Sequence, residues 1–358
     1  MSAGLAYTLE DLLYELGQRQ GSDLHLKAGQ PPIMRIHGRL YRTERPPLED
    51  EQVRALAWSI LSEEQQQRFA EQLELDAAYT MEGFARFRVN LYQQMDHLGL
   101  AMRLIPWNVS TIDELGLPQV LKDVALLPRG LVLVTGPSGC GKTTTLAAIA
   151  DHINGLVPRH IMTIEDPIEY VHQDKVASIS QRQVGGDTRS FAEALRHVMR
   201  QNPDIIIVGE MRDLETMALA VTAAETGHLV FSTAHTTDVA QTIDRVVDAF
   251  PSQQQEQIRL QVALTLEAVV CQSLLPRADG QGRVAAFEIL IVNSAIRALI
   301  REGKTHQIPS IVQSGAQEGM ITFDQYLVSL YKQGLVTYEE ALSRANSPRD
   351  FEQLARAA

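Results

Sequence analysis

Three glycines at positions 136, 139 and 141, followed at once by Lys142 and Thr143, are residue types that can wrap a polyphosphate. Glycine lets backbone N–H groups turn inward around the anion, a lysine adds a point charge for the outer phosphates, and a threonine hydroxyl can ligate magnesium. The run Gly136, Pro137, Ser138, Gly139, Cys140, Gly141, Lys142, Thr143 has the spacing G-x-x-x-x-G-K-[ST] and, with Thr144, is expected to hold the phosphates of ATP. Cys140 lies inside this cradle, where the N–H groups and a helix terminus could depress its thiol pKa, or where it is simply a small residue that fits.

A cradle alone hydrolyses nothing, because in-line attack on a γ-phosphorus needs a placed water, a cation and relief of developing negative charge. Two acidic groups follow apolar runs: Glu165 after Ile161-Met162-Thr163-Ile164, and Glu210 after Ile205-Ile206-Ile207-Val208-Gly209. Ligands gather at the carboxyl ends of strands in open α/β sheets, so both carboxylates should face the nucleotide. Glu210 is expected to orient or deprotonate the attacking water. Gly209 stands where many nucleotide hydrolases carry aspartate, so magnesium must lean on Thr143, water and Glu165, directly or through an intervening ligand. His235, just past another apolar run, and His228, just before it, are candidates to donate to a phosphate oxygen. For the arginine that completes the charge count, Arg88 and Arg103 on neighbouring strands are expected to reach the γ-phosphate across a domain or subunit boundary; Arg196 and Arg200, read as sharing one helix face behind the cap Ser190-x-x-Glu193, stay open as alternatives.

These groups need elements to hold them. Leu131–Thr135 reads as a buried strand entering the cradle, and Thr144–Ala150 as a helix leaving it with its N-terminus on the anion. Further apolar runs at His160–Ile164, Ile205–Val208 and Leu229–Ser232 alternate with helical patterns, the mark of a parallel sheet covered by helices. Upstream, Leu9, Leu12, Leu13 and Leu16 predict a helix, Asp23–Lys27 a strand, and Ile33–Ile36 with Arg39–Tyr41 a hairpin turning at His37-Gly38. Glu49–Ala70 predicts a charged helix, Ala85, Phe87, Val89 and Leu91 one buried face of a strand, and Leu98–Ile105 its neighbour. The proline and polar content from Pro106-Trp107 to Leu117-Pro118 predicts an interdomain connection.

The 358 residues, 45% of them hydrophobic, can bury more than one core. No apolar run approaches the ~20 residues of a membrane span, and Met1–Gln20 lacks the pattern of a secretory signal, so a cytoplasmic protein is expected. Two cysteines, Cys140 and Cys271, cannot form a four-cysteine zinc site. A formal net charge of −12 disfavours nucleic acid as a partner.

Taken together, Gly21–Leu26, Phe87-Arg88-Val89-Asn90, the phosphate loop, the acidic box Glu165–Glu169, Gly209–Asp213, and Thr226–His228 through His235–Thr237 resemble the type II/IV secretion ATPase superfamily, most closely the type IV pilus retraction ATPases. The helix Ser294–Glu302 resembles one that marks retraction members, with Ala298 where that pattern usually has asparagine; its Ile296, Leu299 and Ile300 form an apolar stripe, and Arg297 with Arg301 another face expected to contact a partner or transmit motion. The resemblance implies an α/β protein: an N-terminal α+β (PAS-like) domain over 1–105, a hinge at 106–118, a RecA-like ATPase core over 119–290 and a helical C-terminal region over 291–358. It implies a homohexamer at the cytoplasmic face of the inner membrane, peripheral to it, driving pilin back into the membrane with a platform protein and the pilus machinery. Pilus-extension and type II secretion ATPases, a retraction accessory, a nucleotide-dependent binding switch and a nucleic-acid translocase are the competing readings.

Overall fold

The computed structural model describes residues 6–105 and 109–356; Pro106 and Trp107, where the connection was expected to start, lie outside the described residues, as do 1–5, 108 and 357–358. The chain divides into two compact units, one running to residue 108 and taking in 169–171, the other comprising 109–168 and 172–358.

Among the described residues of the first unit, six strands form an antiparallel sheet: β1 (Gly21–Lys27), β2 (Ile33–Ile36), β3 (Arg39–Arg42), β4 (Glu74–Met81), β5 (Ala85–Gln94) and β6 (His97–Ile105), in the order β3-β2-β1-β6-β5-β4. Helix α1 (Leu9–Gln18) starts at a capping box between Thr8 and Asp11 and buries the leucine stripe that predicted it. On β5, Ala85, Phe87, Val89 and Leu91 are buried as their alternation required. The single helix expected over 49–70 is two, α2 (Asp50–Trp58) and α3 (Glu63–Gln72). The first ends at Trp58 with Ser59 as its C-cap, and Ser62 caps the start of the second: its hydroxyl accepts the Gln65 N–H at 3.2 Å while Gln65 Oε1 accepts the Ser62 N–H at 3.0 Å. This reciprocal pair satisfies two first-turn donors and restarts the helix in a new direction, with Leu61 buried at the break.

Seven strands in the described part of the second unit form one sheet: β7 (Gly130–Thr135), β8 (His160–Glu165), β9 (Ser178–Gln183), β10 (Ile205–Val208), β11 (Leu229–Ala234), β12 (Leu266–Pro276) and β13 (Arg283–Ile291). Their order is β13-β12-β7-β11-β10-β8-β9, parallel throughout except for the β12–β13 hairpin at one edge. The helices are α4 (Val120–Ala125), α5 (Lys142–Leu156), α6 (Phe191–Val198), α7 (Leu214–Glu225), α8 (Val239–Asp248), α9 (Ser252–Thr265) and α10 (Ser294–Glu302). Successive strand residues enter two different cores: Leu131 and Leu133, Met162 and Ile164, Ile206 and Val208 go to one, while Val132, Val134, Ile161, Ile205 and Ile207 go to the other. Both faces are covered, which is why these strands are apolar without alternation.

Ile112 and Leu117 are buried in that second core, so the described part of the expected hinge, 109–118, packs on the second unit instead of running free. Beyond α10, helices α11 (Ile308–Ser314), α12 (Phe323–Lys332), α13 (Tyr338–Arg344) and α14 (Pro348–Arg356) follow, and the last three enclose a small core around Leu327 and Phe351. Among the described residues no helix is long and apolar enough to cross a membrane.

Candidate functional site

Strand β7 delivers the chain into the glycine loop, and α5 leaves it with Gly141 as N-cap. Gly136 sits at φ +139°, and a Cβ there would lie 2.1 Å from the Gln272 carbonyl oxygen and 2.8 Å from Cys140 Sγ. Only glycine tolerates both the backbone conformation and the approach of β12. Lys142, 9% exposed, donates from Nζ to the carbonyls of Gly136 (2.7 Å) and Pro137 (3.0 Å), which curls the loop around its own ammonium. The cradle's outer wall is Gln272, a residue the sequence reading missed. Its Nε2 donates to the Cys140 carbonyl and its Oε1 accepts the Thr145 hydroxyl, each at 2.7 Å, tying loop and helix to β12. A lone amide inside the apolar run Leu266–Leu275 was the available signal.

Cys140 is not an activated thiol. Burial pushes it up, and the nearby Lys142 charge only partly offsets that. It packs as a small buried residue. Beside α5 a cleft of about 560 Å³, lined in part by Gly141, Thr144, Thr145, Gln272, Leu274 and Tyr326, falls in the size range of nucleotide-sized ligand sites.

The sheet register brings the expected acids to the same edge. Val208 pairs with Ile164 and with Ser232, and Ala234 pairs with Thr135, so Glu165, Glu210 and His235 all lie at the carboxyl ends next to the cradle. Thr233 brackets Glu210, its hydroxyl donating to the Gly209 carbonyl (2.6 Å) and its carbonyl accepting the Met211 N–H (3.3 Å). Glu210 Oε1 lies 2.7 Å from His235 Nε2, and Oε2 accepts Arg212 Nε at 2.8 Å. Burial alone would raise the Glu210 carboxyl; the bonds and charges of Arg212 and His235 outweigh it and hold the group below its ordinary range. Glu210 is therefore an ionised acceptor near neutral pH, better suited to aligning a water and taking its proton late than to removing it beforehand. Glu165 Oε1 accepts the Thr163 hydroxyl (2.6 Å) and Gln181 Nε2 (3.0 Å).

His228 does not join the cradle of its own chain. It precedes β11, whose first residue pairs with Gly130, and its Nδ1 lies 3.0 Å from the Ala223 carbonyl, closing the turn between α7 and β11. The six residues of β11, at ~3.3 Å each, put about 20 Å between it and the phosphate edge. Arg88 and Arg103 are register partners on β5 and β6; Arg103 Nε donates to Asp23 at 2.8 Å, and Arg88 lies 3.9 Å from Asp76, both guanidiniums remaining well exposed. Arg196 is ion-paired with Glu215, and Arg200 falls past the end of α6, so the two do not share a helix face.

The arginine pair expected on α10 also separates. Arg297 Nη1 donates to the carbonyls of Ala263, Leu264 and Leu266 at 2.9–3.1 Å, and Nη2 to Glu267 at 2.9 Å. It caps the last turn of α9, where carbonyls lack helical partners, and so belongs to the scaffold. Arg301 is exposed. Arg297→Gln is expected to cost about 2 kcal/mol, the scale of charged hydrogen bonds lost, and Arg301→Gln far less; thermal unfolding of the two variants checks this, and equal midpoints would overturn it.

The profile of the type II/IV secretion system protein family matches residues 7–343. The chain is 50% identical over 343 residues to the type IV pilus retraction ATPase PilT of Pseudomonas aeruginosa, covering 96% of this chain and 99% of that one. It is 48% identical over 316 residues to a twitching motility protein of Neisseria gonorrhoeae, covering 88% and 84%. A crystal structure of the pilus retraction motor PilT with bound ADP superimposes with a TM-score of 0.91 at 44% identity, over 97% of this chain and 99% of that one.

Proposed function

The chain belongs to the type II/IV secretion system protein family, among its type IV pilus retraction ATPases, and from that premise we propose that it is a hexameric motor which hydrolyses ATP to retract type IV pili. The observation that carries the chemical half is Glu210, gripped by His235 and Arg212 on the same sheet edge as the phosphate loop.

The triphosphate lies in the loop 136–144, with Lys142 exchanging loop carbonyls for phosphate oxygens. Among the described residues no group of three acidic, cysteine or histidine side chains converges, so the donor set suits a magnesium ion carried in by the phosphates and held by Thr143, with Glu165 acting through water. Magnesium held there would supply charge neutralisation at the transferring phosphoryl group. Glu210 aligns the attacking water and accepts its proton, and His235 fixes the carboxylate that does so. Arg88 and Arg103 are assigned to the γ-phosphate, supplied by an adjoining subunit of the ring. The motor works at the cytoplasmic face of the inner membrane against a platform protein.

Deleting the gene is expected to leave cells with more surface pili and no twitching, and reintroducing it to restore both. Loss of surface pili would identify an extension motor instead, and unchanged twitching with altered pilus number an accessory.

A further inference from the structure

Strand β13 carries one carboxylate in the middle of an apolar run. Around it stand Ala285, Ala286, Phe287, Ile289, Leu290 and Ile291, and Glu288 itself is 5% exposed. Its Oε2 accepts the backbone N–H of Val239 at 3.0 Å. Val239 is the first residue of α8, so the carboxylate meets an N–H that has no partner within the helix, at the end of the dipole that favours a negative charge. The same turn is tied from within: Thr242 Oγ1 donates to the Asp238 carbonyl at 2.7 Å and lies 2.6 Å from Thr236 Oγ1. Between the end of β11 and Val239 there are only four residues, 235–238, and the first is His235, whose Nε2 meets Glu210. One end of this short segment is fixed by the β11 ladder. Glu288 fixes the other.

We propose that Glu288 is a positioning residue for hydrolysis, holding through Val239 the segment that carries His235 against Glu210. It touches no phosphate-loop residue by this contact, and the proposal rests on the reading of Glu210 as the group that handles the attacking water. The charged groups facing it are Asp238, the N-cap of α8, and Asp324 of α12, while Cys271 stands opposite on β12. Burial, with help from both aspartates and against the Val239 N–H, pushes the Glu288 carboxyl up from 4.5 to about 7. Above that value it is ionised and grips the N–H more strongly; below it the bond is the weaker one of a neutral acid. Stability runs the opposite way. The folded chain binds this proton more tightly than the unfolded chain, so the stabilisation from protonation is complete below about 4.5 and lost as pH rises through about 7. The ionised form that the reaction uses is the less stable one.

The test compares the full-length wild type with Glu288→Gln, Glu288→Ala and Glu210→Gln, measuring kcat across roughly pH 6 to 9, affinity for a non-hydrolysable ATP analogue, and the thermal midpoint. Glu288→Gln mimics the protonated acid. It is expected to lack the wild-type rise in kcat near pH 7, to run about 3- to 10-fold below the wild-type plateau, to bind the analogue within about twofold, and to melt higher at about pH 8. Glu288→Ala should lose at least about tenfold in kcat with affinity unchanged. A Gln variant with the wild-type pH limb and plateau overturns the proposal, as does one in which affinity, stability and rate fall together, the mark of a purely structural group. If the Ala variant does not fold, the Gln variant decides alone. Full turnover by Glu210→Gln overturns the reading of Glu210 and the Glu288 proposal with it, whereas a crippled Glu210→Gln beside Glu288 variants of wild-type kcat overturns the Glu288 proposal alone.

Discussion

Glu210→Gln is expected to bind ATP as the wild type does and to hydrolyse it about 10²-fold more slowly or worse, the scale of losing a general base. The carboxamide is the same size, so the strand end should keep its shape, but it has one acceptor oxygen where the carboxylate offers two, and its NH₂ accepts from neither the His235 ring nor the Arg212 guanidinium. Binding of a non-hydrolysable analogue together with steady-state phosphate release separates the two effects. Turnover within a few-fold of wild type would move the catalytic role away from Glu210.

Lys142→Ala should fail at the earlier step. Its ammonium is nine-tenths buried and already organises the loop through Gly136 and Pro137, so its loss removes a phosphate contact and loosens the cradle together. Charged hydrogen bonds of this kind are worth about 1.5–3 kcal/mol, which corresponds to roughly 10- to 100-fold in nucleotide affinity. Equilibrium titration with a fluorescent nucleotide measures it, and an unchanged dissociation constant would contradict the placement of the phosphates.

What could be read in the sequence was local or periodic. The loop 136–143 is legible because glycine, lysine and threonine at this spacing, between a strand and a helix, form a pattern suited to phosphate, and the leucine stripe of α1 and the alternation of β5 follow from helix and strand geometry. What escaped depends on partners far along the chain. Gln272 and Glu288 are polar residues in largely apolar strands, to which local pattern assigns no role; only the β12–β7 and β12–β13 pairings show that one clamps the cradle and the other meets α8. Arg297 read with Arg301 as a face for a partner or for transmitted motion because periodicity cannot show that the end of α9 lies under it. His228 could have been placed better: it precedes its strand, and in a parallel sheet that is the edge away from the ligand.

The clamp between Gln272 and the Cys140 carbonyl spans 132 positions of sequence. During synthesis the glycine loop emerges long before the strand that seals it, so the emerging chain holds a phosphate-binding sequence without its finished pocket. At about 5–20 residues per second, roughly 7 to 26 s separate the two events on the ribosome. Until β12 arrives, the edge of β7 that it will cover is an open template for strand pairing. Nucleotide competence is thus a late event in the birth of this protein, gated by translation, and the interval before it is when an apolar strand such as β7 most needs a chaperone or a quick neighbour.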